Sequence, residues 1–318
     1  MPETMIVTGA AGFIGSHLCE RLVDEGNNVV GIDNFSDFYP REVKQGNLES
    51  RLLGERQFQF VEMDIRDRQA VDSIVEQSKP EVIVHLAAMA GVRPSIENPG
   101  LYTEVNLDGT VRLLDAAVAG DVKKFIFASS SSVYGNNPKI PFAETDPVDH
   151  PISPYAATKR AGELVCHSYW HLYQMPIACL RFFTVYGPRQ RPDLAIAKFF
   201  RLLEQGQAIP LFGDGTTSRD YTYIDDIIEG VRAAMDRIDG YRIYNLGGNH
   251  PVTLAELLAA VEETTGAQAA IDRQPMQPGD VDRTYADLAR SSSELDYQPG
   301  TSLGEGLASQ WQWYRSMR

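Results

Sequence analysis

The feature that most limits what this chain can fold into is a series of short apolar runs separated by helical stretches. Met5-Ile6-Val7-Thr8, Val29-Val30-Gly31-Ile32-Asp33 and Phe58-Gln59-Phe60-Val61 read as strands. Val82-Ile83-Val84-His85-Leu86 and Phe125-Ile126-Phe127-Ala128 are unbroken apolar runs, the pattern of strands covered on both faces. Between them, residues 16–24 and the stretch around 106–119 repeat their apolar positions at helical spacing. Parallel neighbours need crossover connections, so this alternation predicts an α/β protein built on a doubly wound parallel sheet.

Beyond about residue 180 the alternation loosens. Gly187-Pro188, Gly213-Asp214-Gly215, Gly247-Gly248, Pro275 and Pro278-Gly279 punctuate it, and helices are expected near 195–205, 225–237, 254–264 and 303–315. A length of 318 residues suits two domains or one with an elaborated lobe. We expect a smaller C-terminal α/β lobe, a boundary near 180–183, and part of the later chain returning to the sheet. No internal repeat, low-complexity tract or long linker intervenes.

Charge narrows the partners. Lys and Arg number 29 against 43 Asp and Glu, a net charge of −14, which offers no basic field to gather nucleic-acid phosphates. No apolar run approaches the roughly 20 residues that cross a bilayer, and the entry through Met5-Ile6-Val7 lacks a signal-type segment. The expectation is a cytoplasmic protein with neither nucleic-acid nor membrane partner. Cys19, Cys166 and Cys179 have no CxxC spacing and no clustered His, so they read as small core hydrophobes, with no disulfide framework and no metal site.

Gly9-Ala10-Ala11-Gly12-Phe13-Ile14-Gly15 is a GxxGxxG run between the first strand and the first helix. Glycines there permit a tight turn and let backbone N–H groups at a helix N-terminus approach a diphosphate. Asp33 ends the second strand 18 residues beyond Gly15, where a carboxylate can accept hydrogen bonds from both ribose hydroxyls of an adenosine. It would repel a 2′-phosphate, and no adjacent Arg offsets it, so the expected cofactor is NAD. Asp64-Ile65 and Leu86-Ala87-Ala88 follow the third and fourth strands at the same carboxyl edge.

Tyr155 and Lys159 stand four apart in Ser153-Pro154-Tyr155-Ala156-Ala157-Thr158-Lys159, which puts both on one helical face. A phenol titrates near ~10 and becomes a base at neutral pH only beside a positive charge, which Lys159 and an oxidised nicotinamide can supply. Ser129-Ser130-Ser131-Ser132, at the end of the fifth strand, brings hydroxyl donors to that crevice. His85, inside an apolar strand, reads as a core histidine, and His150, between Asp149 and Pro151, as a loop residue. Asp225-Asp226 is expected to cap a helix.

TGAAGFIGSH, HLAA, SSSSVYG and SPYAATK, in this order and spacing, resemble the extended short-chain dehydrogenase/reductases that act on nucleotide sugars. The resemblance spans essentially the whole chain, since Arg219-Asp220-Tyr221-Thr222-Tyr223-Ile224-Asp225-Asp226 and Pro278-Gly279-Asp280 match later motifs of that family. It implies a Rossmann-type NAD-binding domain of residues 1–181 plus about 222–245, and a nucleotide-sugar-binding lobe of about 182–221 plus 246–318. It also implies Tyr155 as the base, Lys159 on the nicotinamide ribose, and Ser130, 25 positions before the Tyr, on the sugar. Asn34, Asn106, Ser129, Phe182 and Val185 are then expected beside the cofactor, and a four-helix seam built from 105–119 and 156–173 would make a homodimer.

Within that family, 4,6-dehydratases carry Asp-Glu immediately before the Val-Tyr-Gly motif, and UDP-glucuronate decarboxylases carry Glu in the second of those places. Here the two are Ser131 and Ser132, which leaves no evident acid for elimination and favours epimerisation. Arg181-Phe182-Phe183-Thr184-Val185-Tyr186-Gly187-Pro188-Arg189-Gln190-Arg191-Pro192-Asp193 resembles the UDP-glucuronate 4-epimerases, as do Ala90-Gly91-Val92-Arg93-Pro94-Ser95 and Met276-Gln277-Pro278-Gly279-Asp280. A sugar carboxylate needs charge-assisted donors, for which Arg191 is the first choice and Arg93 the second, with Thr184 and the serines as neutral donors. Gln277 stands where many relatives use Arg on the diphosphate, so Arg219 is expected to carry that contact, beside Asp280. The alternatives are a UDP-glucose or UDP-N-acetylglucosamine 4-epimerase, a UDP-glucuronate decarboxylase, a net oxidoreductase that releases NADH, and a dinucleotide-binding regulator without catalysis.

Overall fold

A computed structural model describes residues 2–276 and 281–317. Strands β1 (Thr4–Thr8), β2 (Asn28–Asp33), β3 (Phe58–Glu62), β4 (Val82–His85), β5 (Lys124–Ser130) and β6 (Ile177–Phe182) arise in the first part of the chain. β7 (Thr184–Tyr186), β8 (Ile209–Phe212), β9 (Ser218–Tyr223), β10 (Tyr241–Leu246), β11 (Pro251–Thr253) and β12 (Ile271–Gln274) follow. Seven of them make one sheet in the order β10-β6-β5-β4-β1-β2-β3, with every neighbouring pair parallel. This is the Rossmann-type doubly wound arrangement, and its order reverses between β1 and β4. β11, β9 and β7 form a second small sheet, and β12 pairs with β8.

The helices are α1 (Phe13–Asp24), α2 (Arg41–Glu49), α3 (Arg68–Ser78), α4 (Val92–Glu97), α5 (Pro99–Thr103), α6 (Gly109–Ala119), α7 (Pro154–Tyr173), α8 (Ala195–Glu204), α9 (Ile224–Arg237), α10 (Leu254–Thr265), α11 (Ala289–Leu295) and α12 (Leu303–Ser316). The inner strands β1, β4 and β5 are largely apolar because both of their faces are covered. Along β1, Met5 and Val7 enter one core and Ile6 the other; along β4, Val82 and Val84 part from Ile83, and along β5 Ile126 and Ala128 part from Phe125 and Phe127. The Ile6 core packs under α3, α6 and α7, while the Met5 core continues without a break into Ile196, Phe199, Leu257 and Leu307 of the later helices. Cys19, Cys166 and Cys179 are all buried.

Two departures from the sequence reading have physical causes. The helix expected near 106–119 begins with a π turn, Glu104–Asp108, before α6, and this wider turn buries Asn106. Asp225 and Asp226 do not cap α9: Tyr223 holds that position without a side-chain bond. Asp226 instead accepts the amides of Gly300 and Thr301, at 3.1 and 3.2 Å, tying the approach to α12 onto α9.

α7 carries the residues that matter most, and its placement follows from its sequence. Ser153 caps it by accepting from the Ala156 amide at 3.2 Å, and Pro154 occupies the first turn, where a missing N–H costs nothing. Further along, a Cβ at Gly162 would lie 2.4 Å from the Phe127 ring, so only glycine lets the helix descend this far onto β5. Glu163, fully buried, accepts from Arg181 Nε and Nη2, both at 2.8 Å, and from Ser129 Oγ at 2.6 Å. Arg181 in turn donates to Tyr134 Oη at 2.9 Å.

A buried ion pair contributes little net stability while intact, yet losing one partner strands a charge in the core. Arg181→Met should therefore destabilise the protein by about 3–5 kcal/mol, read as a lowered urea midpoint with an unchanged m-value. Arg160 Nη1, 3.1 Å from Glu163 Oε2, remains as a partner, so a midpoint equal to wild type would show that this second pair suffices or that Glu163 takes up a proton.

Candidate active site

A cleft of about 610 Å³ opens over the carboxyl ends of β1 to β6, around the point where the strand order reverses. Its floor is the turn after β1. Gly9 adopts φ 74°, and a Cβ there would meet the Ala87 amide at 2.8 Å; a Cβ on Gly15 would fall 2.0 Å from the Gly9 carbonyl. These two glycines pack α1 against β1 and β4. A Cβ on Gly12 would lie 3.1 Å from the Gly9 carbonyl and 4.0 Å from the Tyr39 hydroxyl, and this glycine precedes α1, whose first amides, at Phe13, Ile14 and Gly15, have no intrahelical acceptor. The cradle fits a diphosphate.

At the far end Asp33 accepts the amides of Ala11 (3.2 Å) and Phe35 (2.9 Å). Burial raises its pKa, opposed first by the nearby Lys44. Asn34 donates to Asp64 at 2.9 Å, and Arg66 grips Asp64 through Nε and Nη2, which pushes that carboxyl down to about 2. Ile65, Leu86, Ala87 and Ala88 also line the cleft, as do Phe182 and Val185 from the other side.

The reactive groups meet where β5 ends against the start of α7. Tyr155 lines the cleft beside Ser130, whose Oγ accepts from the amide and hydroxyl of Ser132 at 3.2 and 2.9 Å. Burial raises the Tyr155 pKa; Ser130 and then the Arg191 charge oppose it. Lys159 is buried and donates to the Ala128 carbonyl at 2.7 Å, with its ammonium 6.0 Å from the Tyr155 ring centre. Burial brings its pKa down to about 8. Lys159 thus stands near the Tyr155 ring while its hydrogen bond goes to the main chain. Arg191 sits over the Phe38 ring at 5.1 Å and grips Asp193 through Nε (3.0 Å) and Nη2 (2.8 Å). Ser131 and Thr184 line the same end.

Ser129 lines the cleft as well but spends its hydroxyl on Glu163. Other expected residues lie outside the lining. Asn106 stands behind the cleft wall, accepting from the Met89 amide at 2.8 Å and donating to the Met89 carbonyl at 2.9 Å and to Thr158 at 3.1 Å, so it braces the loop after β4. Arg93 is outside the lining and stacks on Phe212 at 4.8 Å. Arg219 is also outside it, donating to the Ser218 carbonyl at 2.8 Å. Gln277 and Asp280 lie outside the described residues. Sequence reasoning missed Lys44, Tyr39 and Phe38, which line the cleft from α2 and the loop before it. Pro40, just ahead of a run free of turn residues until Gly46, was the available signal for α2.

Residues 5–247 match the family described as NAD dependent epimerase/dehydratase. The chain belongs to that family. It is 42% identical over 304 residues to a UDP-glucuronate 4-epimerase of Thermodesulfobacterium geofontis, an alignment covering 95% of this chain and 93% of the relative. Its fold superposes, with a TM-score of 0.93 and 38% identity, on the crystal structure of the UDP-glucuronic acid 4-epimerase of Bacillus cereus in complex with UDP-glucuronic acid and NAD, covering 99% of this chain and 100% of that one. A UDP-glucose 4-epimerase of Thermotoga maritima with UDP-glucose matches at a TM-score of 0.92 and 33% identity, covering 99% of both chains.

His85 and His150 stand outside the cleft lining. His85 is wedged between Thr8 Oγ1 (2.8 Å from Nδ1) and Thr110 Oγ1 (3.0 Å from Nε2), and burial pushes its pKa down to about 3. Thr110 gives its only proton to the Asn106 carbonyl at 2.6 Å, so His85 must carry its own on Nε2. His150 is exposed. A histidine held neutral contributes stability that is complete above its unfolded pKa of ~6.5 and is lost as pH falls towards the folded value. His85 should therefore cost about 1.4 kcal/mol per pH unit between roughly 6.5 and 3. Unfolding free energies at pH 7, 6 and 5 should fall less steeply for His85→Asn than for wild type; equal slopes would refute the neutral assignment.

Proposed function

We propose that the protein catalyses the redox-neutral, NAD-dependent 4-epimerisation of UDP-glucuronate to UDP-galacturonate through a transient 4-keto sugar. The observation that carries this reading is the composition of the cleft at its sugar end. A Tyr155–Ser130 pair meets the Arg191 guanidinium there, while the carboxylates of the lining, Asp33, Asp37 and Asp64, come from the β2 and β3 side. The relatives described above, one with UDP-glucuronic acid and NAD bound, support it.

The glycine turn, the open amides of α1 and Asp33 form a site suited to NAD, with the Asp33 carboxylate turning away a 2′-phosphate. When bound, NAD supplies a hydride acceptor and a positively charged nicotinamide ring. Tyr155 takes the C4 hydroxyl proton as that carbon becomes a ketone and returns it once the sugar has turned its other face. Lys159, anchored on Ala128, holds the ribose, and Ser130 relays hydrogen bonding to the sugar oxygen. Ser131, Ser132 and Thr184 supply neutral donors.

Arg191 holds the sugar carboxylate. The Asp193 pair occupies its Nε and Nη2 edge and shows that a carboxylate fits this guanidinium in a planar fork; Nη1 stands outside that pair. Fixing the carboxylate has a chemical purpose. A 4-keto glucuronate is a β-keto acid, and it loses CO2 when its C5–C6 bond aligns with the carbonyl π system. Donors that hold the bond out of alignment protect the intermediate while the ring rotates.

In this reading residues 1–181 and about 222–245 hold the dinucleotide, and about 182–221 and 246–318 hold the nucleotide sugar, in a cytoplasmic homodimer. Leu164, Leu172 and Tyr173, exposed along α7, support pairing through that helix and α6. Tyr155→Phe should abolish product formation, a drop of at least about 10³-fold, while NAD remains bound, as seen by discontinuous product analysis and cofactor extraction. Turnover near the wild-type rate would remove the base from this role. Arg191→Ala should weaken binding of UDP-glucuronate by about tenfold or more and raise UDP-pentose release. Equal affinity of the variant and wild type for UDP-glucuronate would favour a UDP-glucose or UDP-N-acetylglucosamine epimerase instead.

A further inference from the structure

Residues 187–190, between β7 and α8, carry three groups that no step above uses. Arg189 sits in left-handed backbone, φ 64°, and its guanidinium runs along α1, donating to Glu20 Oε1 at 2.7 Å and to Ser16 Oγ at 3.3 Å. The carbonyl before it, on Pro188, accepts from His17 Nε2 at 3.0 Å. Gln190, 4% exposed, turns the opposite way. It donates to the Val185 carbonyl at 3.0 Å and accepts from the Ala197 amide at 3.1 Å and from Gln310 Nε2 at 2.9 Å. Gln310 Oε1 closes the circuit by accepting the Gly187 amide at 3.0 Å.

Four residues are thus fastened to α1, to β7 and α8, and to α12, through contacts shielded from water. A non-glycine residue at positive φ persists where its surroundings over-determine it, and such positions gather at binding sites. Arg191 follows at once, over Phe38 and at the sugar end of the cleft. An arginine on a mobile loop would lose rotamer and backbone freedom on seizing a carboxylate, which weakens binding; a fixed base removes that loss.

We infer that Arg189 and Gln190 are positioning residues: the rigid mount they form sets where the Arg191 guanidinium stands, and so sets the preference for a nucleotide sugar bearing a carboxylate. The inference rests on the proposed contact between Arg191 and the carboxylate. Glu20, though on the helix that begins at the dinucleotide turn, belongs to this specificity device because Arg189 leans on it.

The test compares the affinities of the NAD-loaded enzyme for UDP-glucuronate and for UDP-glucose by calorimetry. Arg191→Ala should reduce the preference for UDP-glucuronate about tenfold, and Arg189→Met, which keeps an apolar stem, should reduce it by roughly three- to tenfold with UDP-glucose affinity changed less than about twofold. Adding Arg189→Met to Arg191→Ala should change nothing further, since the mount acts only through Arg191. Glu20→Gln, isosteric and uncharged, gives the same comparison should Arg189→Met not fold. Equal weakening of both ligands, or an effect that adds to that of Arg191→Ala, would overturn the mount. An unchanged preference in Arg191→Ala alone would instead strike the carboxylate reading on which it rests.

Discussion

The arrangement depends on one buried carboxylate. Glu163 gathers Arg181 from β6, Ser129 from β5 and Arg160 from its own helix, while its carbonyl accepts the Tyr241 hydroxyl of β10 at 2.9 Å. Three adjacent strands and α7 are thereby referred to a single residue. Lys159 lies one turn before it and Tyr155 one turn earlier still, so the register of the helix face that carries both is fixed by a polar contact in an otherwise apolar layer. Such contacts specify geometry more than they stabilise it, since desolvating both charges offsets most of their attraction.

The sheet was legible because strands buried on both faces have an unmistakable composition, and Val82 to His85 and Phe125 to Ala128 carry it. That the glycine turn, Asp33, Tyr155 and Ser130 line one cleft was legible because each stands at a fixed place along the carboxyl edge of the sheet. What escaped was whatever depends on a side chain's choice between partners. Lys159 turns to a main-chain carbonyl, Ser129 to Glu163 and Asn106 to Met89, and sequence spacing says nothing about such competition. α2 was missed because its polar surface gives no apolar stripe, and Lys44 was missed with it. Arg93 and Arg219 are arginines of the expected kind near the expected loops; Arg93 stacks on Phe212, Arg219 donates to the Ser218 carbonyl, and neither is in the cleft lining.

The net charge of −14 and the anionic ligands of the proposed reaction are reconciled locally. The cleft lining carries four cations, Lys44, Arg66, Lys159 and Arg191, against Asp33, Asp37 and Asp64. Lys44 is braced on the Ser36 carbonyl at 2.7 Å, and Arg66 is neutralised by Asp64. Arg191 is paired with Asp193 in the same way and keeps Nη1 outside that pair, so the remaining anion-binding capacity resides in oriented amides and in that one edge, which act at short range and are little affected by the sign of the distant surface.

Gly162 gives the site a reference height. The rise of Tyr155 and Lys159 above the sheet is set by an atom that is missing, because Phe127 occupies the volume a β-carbon would need. Lineages carrying this site can exchange most of the outward face of α7, but any side chain at position 162 lifts both reactive groups together unless Phe127 shrinks in the same step. The two positions are therefore coupled sterically although both lie outside the cleft lining.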